Sequence, residues 1–242
     1  MERATYLSHL DSDSRLLAEA AARDIAAEVP FCPGWTVREA VEHVARVYEH
    51  KLAAIESRGS RPDPWPPAWP ADRDPLDWFA DVRERLLDTL ANVDPAQPSW
   101  TWWPPDQTAG FWVRRMAQET VVHRVDVEAA TGAATAVDAE LALDGVDEVL
   151  EMMLAGDWST DPQHDLIGTV QVGTDDRLWR VDMTPTEVTV HANGGTSDAA
   201  VTGQPSPLLL WLWGRASDAE VQVSGDRHAA GRLRRRLALA TQ

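Results

Sequence analysis

Apolar residues recur every three to four positions through the first 155 residues, the spacing typical of amphipathic helices. Two Pro/Trp-rich stretches, 61–75 and 94–109, interrupt this pattern and cannot continue a helix. We predict five helices, over 2–27, from Thr36 to about Ser57, from Pro75 to about Val93, over 110–131 and over 138–155.

The ends of these helices carry recognisable signals. Thr36 and Glu39 have the spacing of a capping box, and Asp74 followed by Pro75 suits an N-cap and a first helical residue. Gly132 suits the left-handed residue that ends a helix.

After Gly156 the period changes to two, and short runs rich in β-branched residues alternate with Gly, Asp and Pro. We predict strands at 166–173, 177–183, 186–192, 198–203 and 220–225, with helices at 205–215 and 226–240. The expected fold class is α+β: a helical bundle over 1–157, then a smaller α+β domain over 165–242.

Composition narrows the possible partners. A net charge of −17 argues against a nucleic acid or an anionic membrane, since both need a basic surface. No apolar run reaches the ~20 residues of a spanning helix and no signal peptide is visible, so we expect a cytoplasmic protein. Cys32 is the single cysteine, which excludes an internal disulfide and is best explained as a small packing residue.

Polar residues interrupt the inward face of the helix over 110–131. Glu119 and His123 are four residues apart, so their side-chain heads can meet at one metal ion. On the second helix, His43 and His50 lie on one side, and either can face this pair. Two imidazoles and one carboxylate form a zinc set with one open position. A hydrogen-bonded core histidine, or a buried Glu–His ion pair, is the alternative.

The same helix excludes one familiar metal motif. In the zinc-protease helix, a histidine stands directly before the glutamate, whereas Gln118 precedes Glu119 here. The sequence therefore does not indicate a metalloprotease of that type.

Several segments resemble the mycothiol-dependent maleylpyruvate isomerase family. They are CPGWTVREAVEHVARVYEH (32–50), FWVRRMAQETVVHRVDVEAATG (111–132), LWRVDMTPTEVTV (178–190) and DAAVTGQPSPLLLWLWGR (198–215). The resemblance covers nearly the whole chain. It implies a DinB-like four-helix bundle followed by a sterol-carrier-like α/β domain.

The resemblance also implies a ligand set. It places a divalent metal, usually zinc, on His43, Glu119 and His123, and it departs from the family at Gln118, where histidine is common. Asp126 either supports a ligand imidazole from the second shell or pairs with Arg124 or Arg115. His50 is a second-shell residue or lies at the edge of the surface. Arg215 is a catalytic candidate, because the family is thought to grip its dicarboxylate with an arginine of the second domain.

The function implied is that of a metal-dependent enzyme in which mycothiol, a low-molecular-weight thiol, attacks an electrophilic small molecule. A cis/trans isomerase of the maleylpyruvate type and a thiol S-transferase share the same site, so both remain open. The alternative is a non-catalytic protein that binds a metal or a small molecule. Four loop tryptophans are expected either as pocket walls or as loop anchors: Trp65, Trp69, Trp102 and Trp103.

Overall fold

The computed structural model describes residues 1–68, 72–132 and 134–241, and the chain forms two compact units, Met1–Thr135 and Ala136–Gln242. Four helices make up the first unit: α1 (Arg3–Ala21), α2 (Val37–Glu56), α3 (Pro75–Asn92) and α4 (Ala109–Thr131). Helix α1 ends six residues before its predicted end. The reason is local, since the Asp24 carboxylate accepts a hydrogen bond from the Ala26 N–H and turns the chain there.

Helix α4 is the central element of this unit. It packs against α1, α2 and α3, and most of its residues are buried. A helix buried on nearly every side has no solvated face, so its polar side chains must find partners inside the protein. Arg124 does so through Asp13 of α1, with 3.2 Å between Arg124 Nε and Asp13 Oδ1.

The second unit combines helices with one six-stranded sheet. Helix α5 (Ala139–Glu148) continues into a π-helical turn, Val149–Leu154. The strands are β1 (Gly156–Asp157), β2 (Gly168–Gly173), β3 (Leu178–Met183), β4 (Glu187–Ala192), β5 (Ala199–Thr202) and β6 (Gln222–Gly225). Helix α6 spans Pro205–Leu212 and helix α7 spans Arg227–Ala240.

The sheet has the order β1-β4-β3-β2-β5-β6, and only the β2–β5 pair among these strands is parallel. Helix α7 packs against β2 and β5. A helical first unit followed by a sheet with helices confirms the predicted α+β class.

The division between the units falls at Thr135 and Ala136, earlier than the boundary expected between Asp157 and Asp165. Helix α5, which the sequence analysis placed with the bundle, packs against α6. The Val137 N–H donates to Ser206 Oγ, and Trp179 Nε1 donates to Asp147 Oδ1. These contacts attach the segment after Thr135 to the second unit.

No helix among the described residues is both long and apolar enough to cross a lipid bilayer.

Candidate metal centre

Helix α2 presents His43 from one side of the site. The helix begins with the predicted capping box, in which Thr36 and Glu39 satisfy each other's backbone N–H groups. The preceding loop is held by a hydrogen bond from the Val29 N–H to the Trp35 carbonyl, 2.9 Å. His43 lies two turns into this fixed helix, so the start of α2 determines where its imidazole lies.

Helix α4 supplies the other two groups, and all three meet. His43 Nε2 lies 3.3 Å from Glu119 Oε1, and His123 Nε2 lies 3.4 Å from the same oxygen. One ligand atom from each residue lies within 4.8 Å of the other two. The three residues that the family resemblance named are therefore brought together between α2 and α4.

Two neighbours fix which atoms face the centre. Asp126 Oδ2 lies 3.0 Å from His123 Nδ1, so the Nδ1–H is donated to Asp126 and Nε2 points at the centre. Arg115 forms an ion pair with Oε2 of Glu119, which leaves Oε1 for the centre. Of the alternatives for Asp126, the structure shows the contact to His123; it also accepts a hydrogen bond from the Cys32 thiol, 3.5 Å.

The electrostatics of the pair on α4 follow from these contacts. Burial raises the pKa of Glu119, but hydrogen bonds from His123 and His43 and the charge of Arg115 outweigh it and hold the pKa well below its usual value. Burial lowers the pKa of His123, but the hydrogen bonds to Asp126 and Glu119 raise it to about 9. Glu119 is therefore ionised at neutral pH and can bind a cation.

The donor set suits a small divalent cation. Zinc forms bonds of about 2.0–2.2 Å to imidazole nitrogen and carboxylate oxygen, and the edge of such a tetrahedron is about 3.3–3.6 Å. The two N···O separations of 3.3 Å and 3.4 Å match that edge. The donor types and these two separations therefore suit a tetrahedral metal with three protein ligands and a fourth position left over.

Trp35 covers both imidazoles, a role that the sequence analysis missed. Its ring centroid lies 5.0 Å from that of His43 and 6.3 Å from that of His123, with which it is nearly parallel. The signal available was the CPGW turn directly before α2, but the direction of a loop side chain does not follow from a periodic pattern.

The predicted wall tryptophans lie in different places. Trp102 and Trp103 pack on Phe111, at 5.6 Å and 6.2 Å between ring centroids, as loop anchors do. Trp65 contacts His50, with ring centroids 4.6 Å apart. Trp69 lies outside the described residues.

His50 and Arg215, the remaining site predictions, are not members of this three-residue group. His50 is buried against Trp65 and Trp100, and its Nδ1 lies 3.1 Å from Lys51 Nζ. Arg215 belongs to the second unit, where its Nη1 donates to the Trp213 carbonyl at 2.7 Å.

Comparison with known proteins gives two family matches. Residues 9–128 match the model of the mycothiol maleylpyruvate isomerase N-terminal domain, and residues 140–232 match that of the family's C-terminal domain. A search of curated proteins found no match.

Solved structures with a similar fold include two of the mycothiol-dependent maleylpyruvate isomerase. A single-residue mutant of that enzyme is 12% identical with a TM-score of 0.64, and a second structure of it is 14% identical with a TM-score of 0.58. In both, 93% of this chain aligns with 93% of the other. At these identities the likeness shows the fold alone.

Proposed function

The chain belongs to the mycothiol maleylpyruvate isomerase family, and from that premise we propose that it is a metal-dependent enzyme in which mycothiol attacks an electrophilic small molecule. The observation that carries this proposal is the approach of His43 Nε2 and His123 Nε2 to one oxygen, Glu119 Oε1, at 3.3 Å and 3.4 Å. Two imidazoles and a carboxylate favour zinc among common divalent metals. A zinc ion bound there would take a thiol sulfur at its open position and lower the pKa of that thiol.

The protein's own residues prepare this chemistry in three ways. Arg115 holds Oε2 of Glu119, and Asp126 holds Nδ1 of His123, so the ligand atoms are oriented before any ion binds. Trp35 covers both imidazoles and limits the approach of water from that side.

Two outcomes share this site. In an isomerase, the thiolate adds to one carbon of a conjugated cis double bond, which becomes a single bond and rotates. Elimination then breaks the C–S bond, restores the double bond as trans and returns the thiolate. In an S-transferase, the neighbouring carbon takes up a proton and the thioether is released.

Arg215 is proposed as a contact for a carboxylate of the substrate. The guanidinium fork of an arginine suits a bidentate pair with a carboxylate. Supporting this role, the side chain is held over the Trp213 ring, 6.0 Å from its centroid, and by the Trp213 carbonyl.

The test compares three proteins by zinc content and by thiol-dependent consumption of an unsaturated electrophile. We expect about one zinc per chain and turnover in the wild type, and loss of both in His123→Ala, because two protein ligands hold zinc poorly. His191→Ala is the matched control, since His191 is a half-exposed histidine paired with Asp182. It should keep both properties.

Full zinc and full activity in His123→Ala would contradict the proposal. A wild type that binds zinc and the electrophile tightly but never forms or isomerises a product would identify the non-catalytic binding protein instead.

A further inference from the structure

Lys51 is the only lysine in the chain, and the other 21 of its 22 basic residues are arginines. It lies on α2, is 8% exposed, and places Nζ 3.1 Å from Nδ1 of His50. A buried ammonium is normally paired with a carboxylate, because burying an isolated charge is costly. Among the residues that the structure describes, none pairs a carboxylate with Lys51.

Indole rings surround the ammonium instead. Nζ lies 4.7 Å from the ring centroid of Trp112 and 5.0 Å from that of Trp65. Cation–π contacts contribute about 2 kcal/mol when desolvated, less than a full ion pair offers at such a depth. The ammonium therefore keeps N–H groups that lack an acceptor of matching charge.

His50 adds a second donor. Since its Nδ1 accepts from the ammonium, the neutral ring carries its hydrogen on Nε2. Burial and the charge of Lys51 lower the pKa of His50 to about 4, so the ring is neutral at pH 7. Nε2 is buried without a hydrogen bond of normal geometry, although the Pro62 carbonyl is near enough to act on the ring. His50 itself is 3% exposed.

These donors share an interface with the metal centre. Along α2, Lys51 follows His43 by eight residues, about 12 Å of helix; along α4, Trp112 precedes Glu119 by seven, about 10 Å. His43 meets Glu119, and Lys51 meets Trp112, so both pairs lie where α2 faces α4. The two helices thus carry a metal-binding cluster at one level and a cluster of unmatched donors about two turns away.

We propose that His50 and Lys51 form an anion-binding subsite that takes a carboxylate of the electrophile. Two adjacent buried donors that contact no carboxylate among the described residues match the two oxygens of a carboxylate. The indole faces of Trp65, Trp100 and Trp112 suit a planar, unsaturated body attached to it. This subsite deepens the proposed function and rests on it for the reacting end of the ligand.

We expect a ligand to enter the subsite on the side of Trp65. Trp65 contacts both His50 and Lys51, and it is 44% exposed, whereas Trp112 is fully buried. Trp65 is therefore an indole that contacts both donors and also reaches solvent.

The test measures binding of trans-cinnamate and of its neutral isostere trans-cinnamamide by isothermal titration calorimetry, without thiol. In the wild type we expect cinnamate to bind at least about tenfold more tightly, as a charge-assisted hydrogen bond contributes. Lys51→Met should abolish this preference, and His50→Phe should reduce it about threefold or more. Arg85→Met is the control: Arg85 is half-exposed and pairs with Glu49, so its loss removes one positive charge and should leave the preference unchanged.

Three results would overturn the subsite: no preference in the wild type, failure of cinnamate to bind, or a preference that survives in both Lys51→Met and His50→Phe. A preference that survives these changes and disappears on metal removal would place the carboxylate on the metal centre instead. Thermal unfolding of each variant confirms folding. The binding test contains no thiol, so its result does not depend on the proposed reaction. A protein that prefers cinnamate here but forms no product when thiol is supplied would contradict the proposed reaction and leave the subsite supported.

Discussion

At the scale of single residues, the candidate metal centre is shaped by side chains outside the proposed ligand set. Asp126 is fully buried and holds Nδ1 of His123, while Arg115 holds the outer oxygen of Glu119. The contact with Asp126 fixes the ring orientation of His123, and the contact with Arg115 leaves Oε1 of Glu119 as the oxygen available to an ion. The ligands therefore lose little conformational freedom when an ion binds, which raises affinity.

Asp126→Asn tests this orientation. An amide can present either an oxygen or an NH2 group to His123, so the tautomer is no longer fixed, and we expect zinc affinity to fall about 10- to 100-fold. Competition with a chromophoric chelator measures it. Asp13→Asn is the control. Asp13 of α1 pairs with Arg124, which lies on α4 as Asp126 does, so this change should affect stability alone. Equal zinc affinities in wild type and Asp126→Asn would refute this role.

Lys51 makes a prediction about pH. Burial lowers its pKa from 10.5 to about 8, although the charge of Glu119 opposes the shift. Between these two pKa values the unfolded chain binds more protons at this residue than the folded one, so its contribution to stability rises with pH there. Relative to Lys51→Met, wild-type stability should increase by about 3 kcal/mol from pH 7 to pH 11.

Urea unfolding of both proteins at each pH measures this difference, in which the titrations of groups that Lys51 does not influence cancel. If the difference in unfolding free energy does not change with pH, Lys51 is solvated in the folded protein. The subsite would then lack a buried ammonium.

The sequence predicted part of this site on physical grounds. Spacing of four residues placed Glu119 and His123 on one face of α4, and helical geometry required that. It did not decide between His43 and His50, which lie seven residues apart on one side of α2; the family resemblance selected His43. The interhelical register that brings His43 to Glu119 depends on packing between helices, which a pattern along one chain does not contain.

At the scale of elements, the N-terminal cap of α2 connects stability to metal binding. Thr36→Ala breaks the capping box and should cost about 1 kcal/mol of unfolding free energy. It should also weaken zinc binding, because the turns that carry His43 become less ordered. Asp74→Ala is a matched control: Asp74 caps α3 by accepting from the Leu76 and Asp77 N–H groups, and α3 carries no ligand.

Urea unfolding together with zinc affinity distinguishes the two caps. Both variants should lose similar stability, and only Thr36→Ala should lose affinity. Equal affinities would show that the start of α2 does not position His43.

Most elements were predictable because their signals are local. The caps at Thr36 and Asp74 and the left-handed Gly132 mark helix ends within a few residues of the structure. The parallel pairing of β2 with β5 was not predictable, since it joins strands separated by two others along the chain. The packing of α5 on α6 likewise joins elements that lie far apart along the chain.

At the scale of the whole molecule, a net charge of −17 surrounds a site proposed to bind an anion. Salt screens exposed charges beyond about 8 Å at physiological ionic strength, so buried donors such as Lys51 decide affinity once a ligand has entered. The surface charge acts mainly on the rate of approach, which should rise with added salt for an anionic ligand. The donors His50 and Lys51 can thus attract an anion at short range although the net charge of the protein repels it at long range.

The most direct test of the central claim is zinc K-edge X-ray absorption on the zinc-loaded protein, before and after addition of mycothiol. The account predicts light-atom ligands alone at about 2.0–2.2 Å at first, from two imidazoles and one carboxylate with a fourth light ligand. Mycothiol should then add one sulfur at about 2.3 Å, and His123→Ala should not show that change. A spectrum that mycothiol leaves unaltered, in a protein confirmed to hold one zinc per chain, would contradict thiol activation at His43, Glu119 and His123.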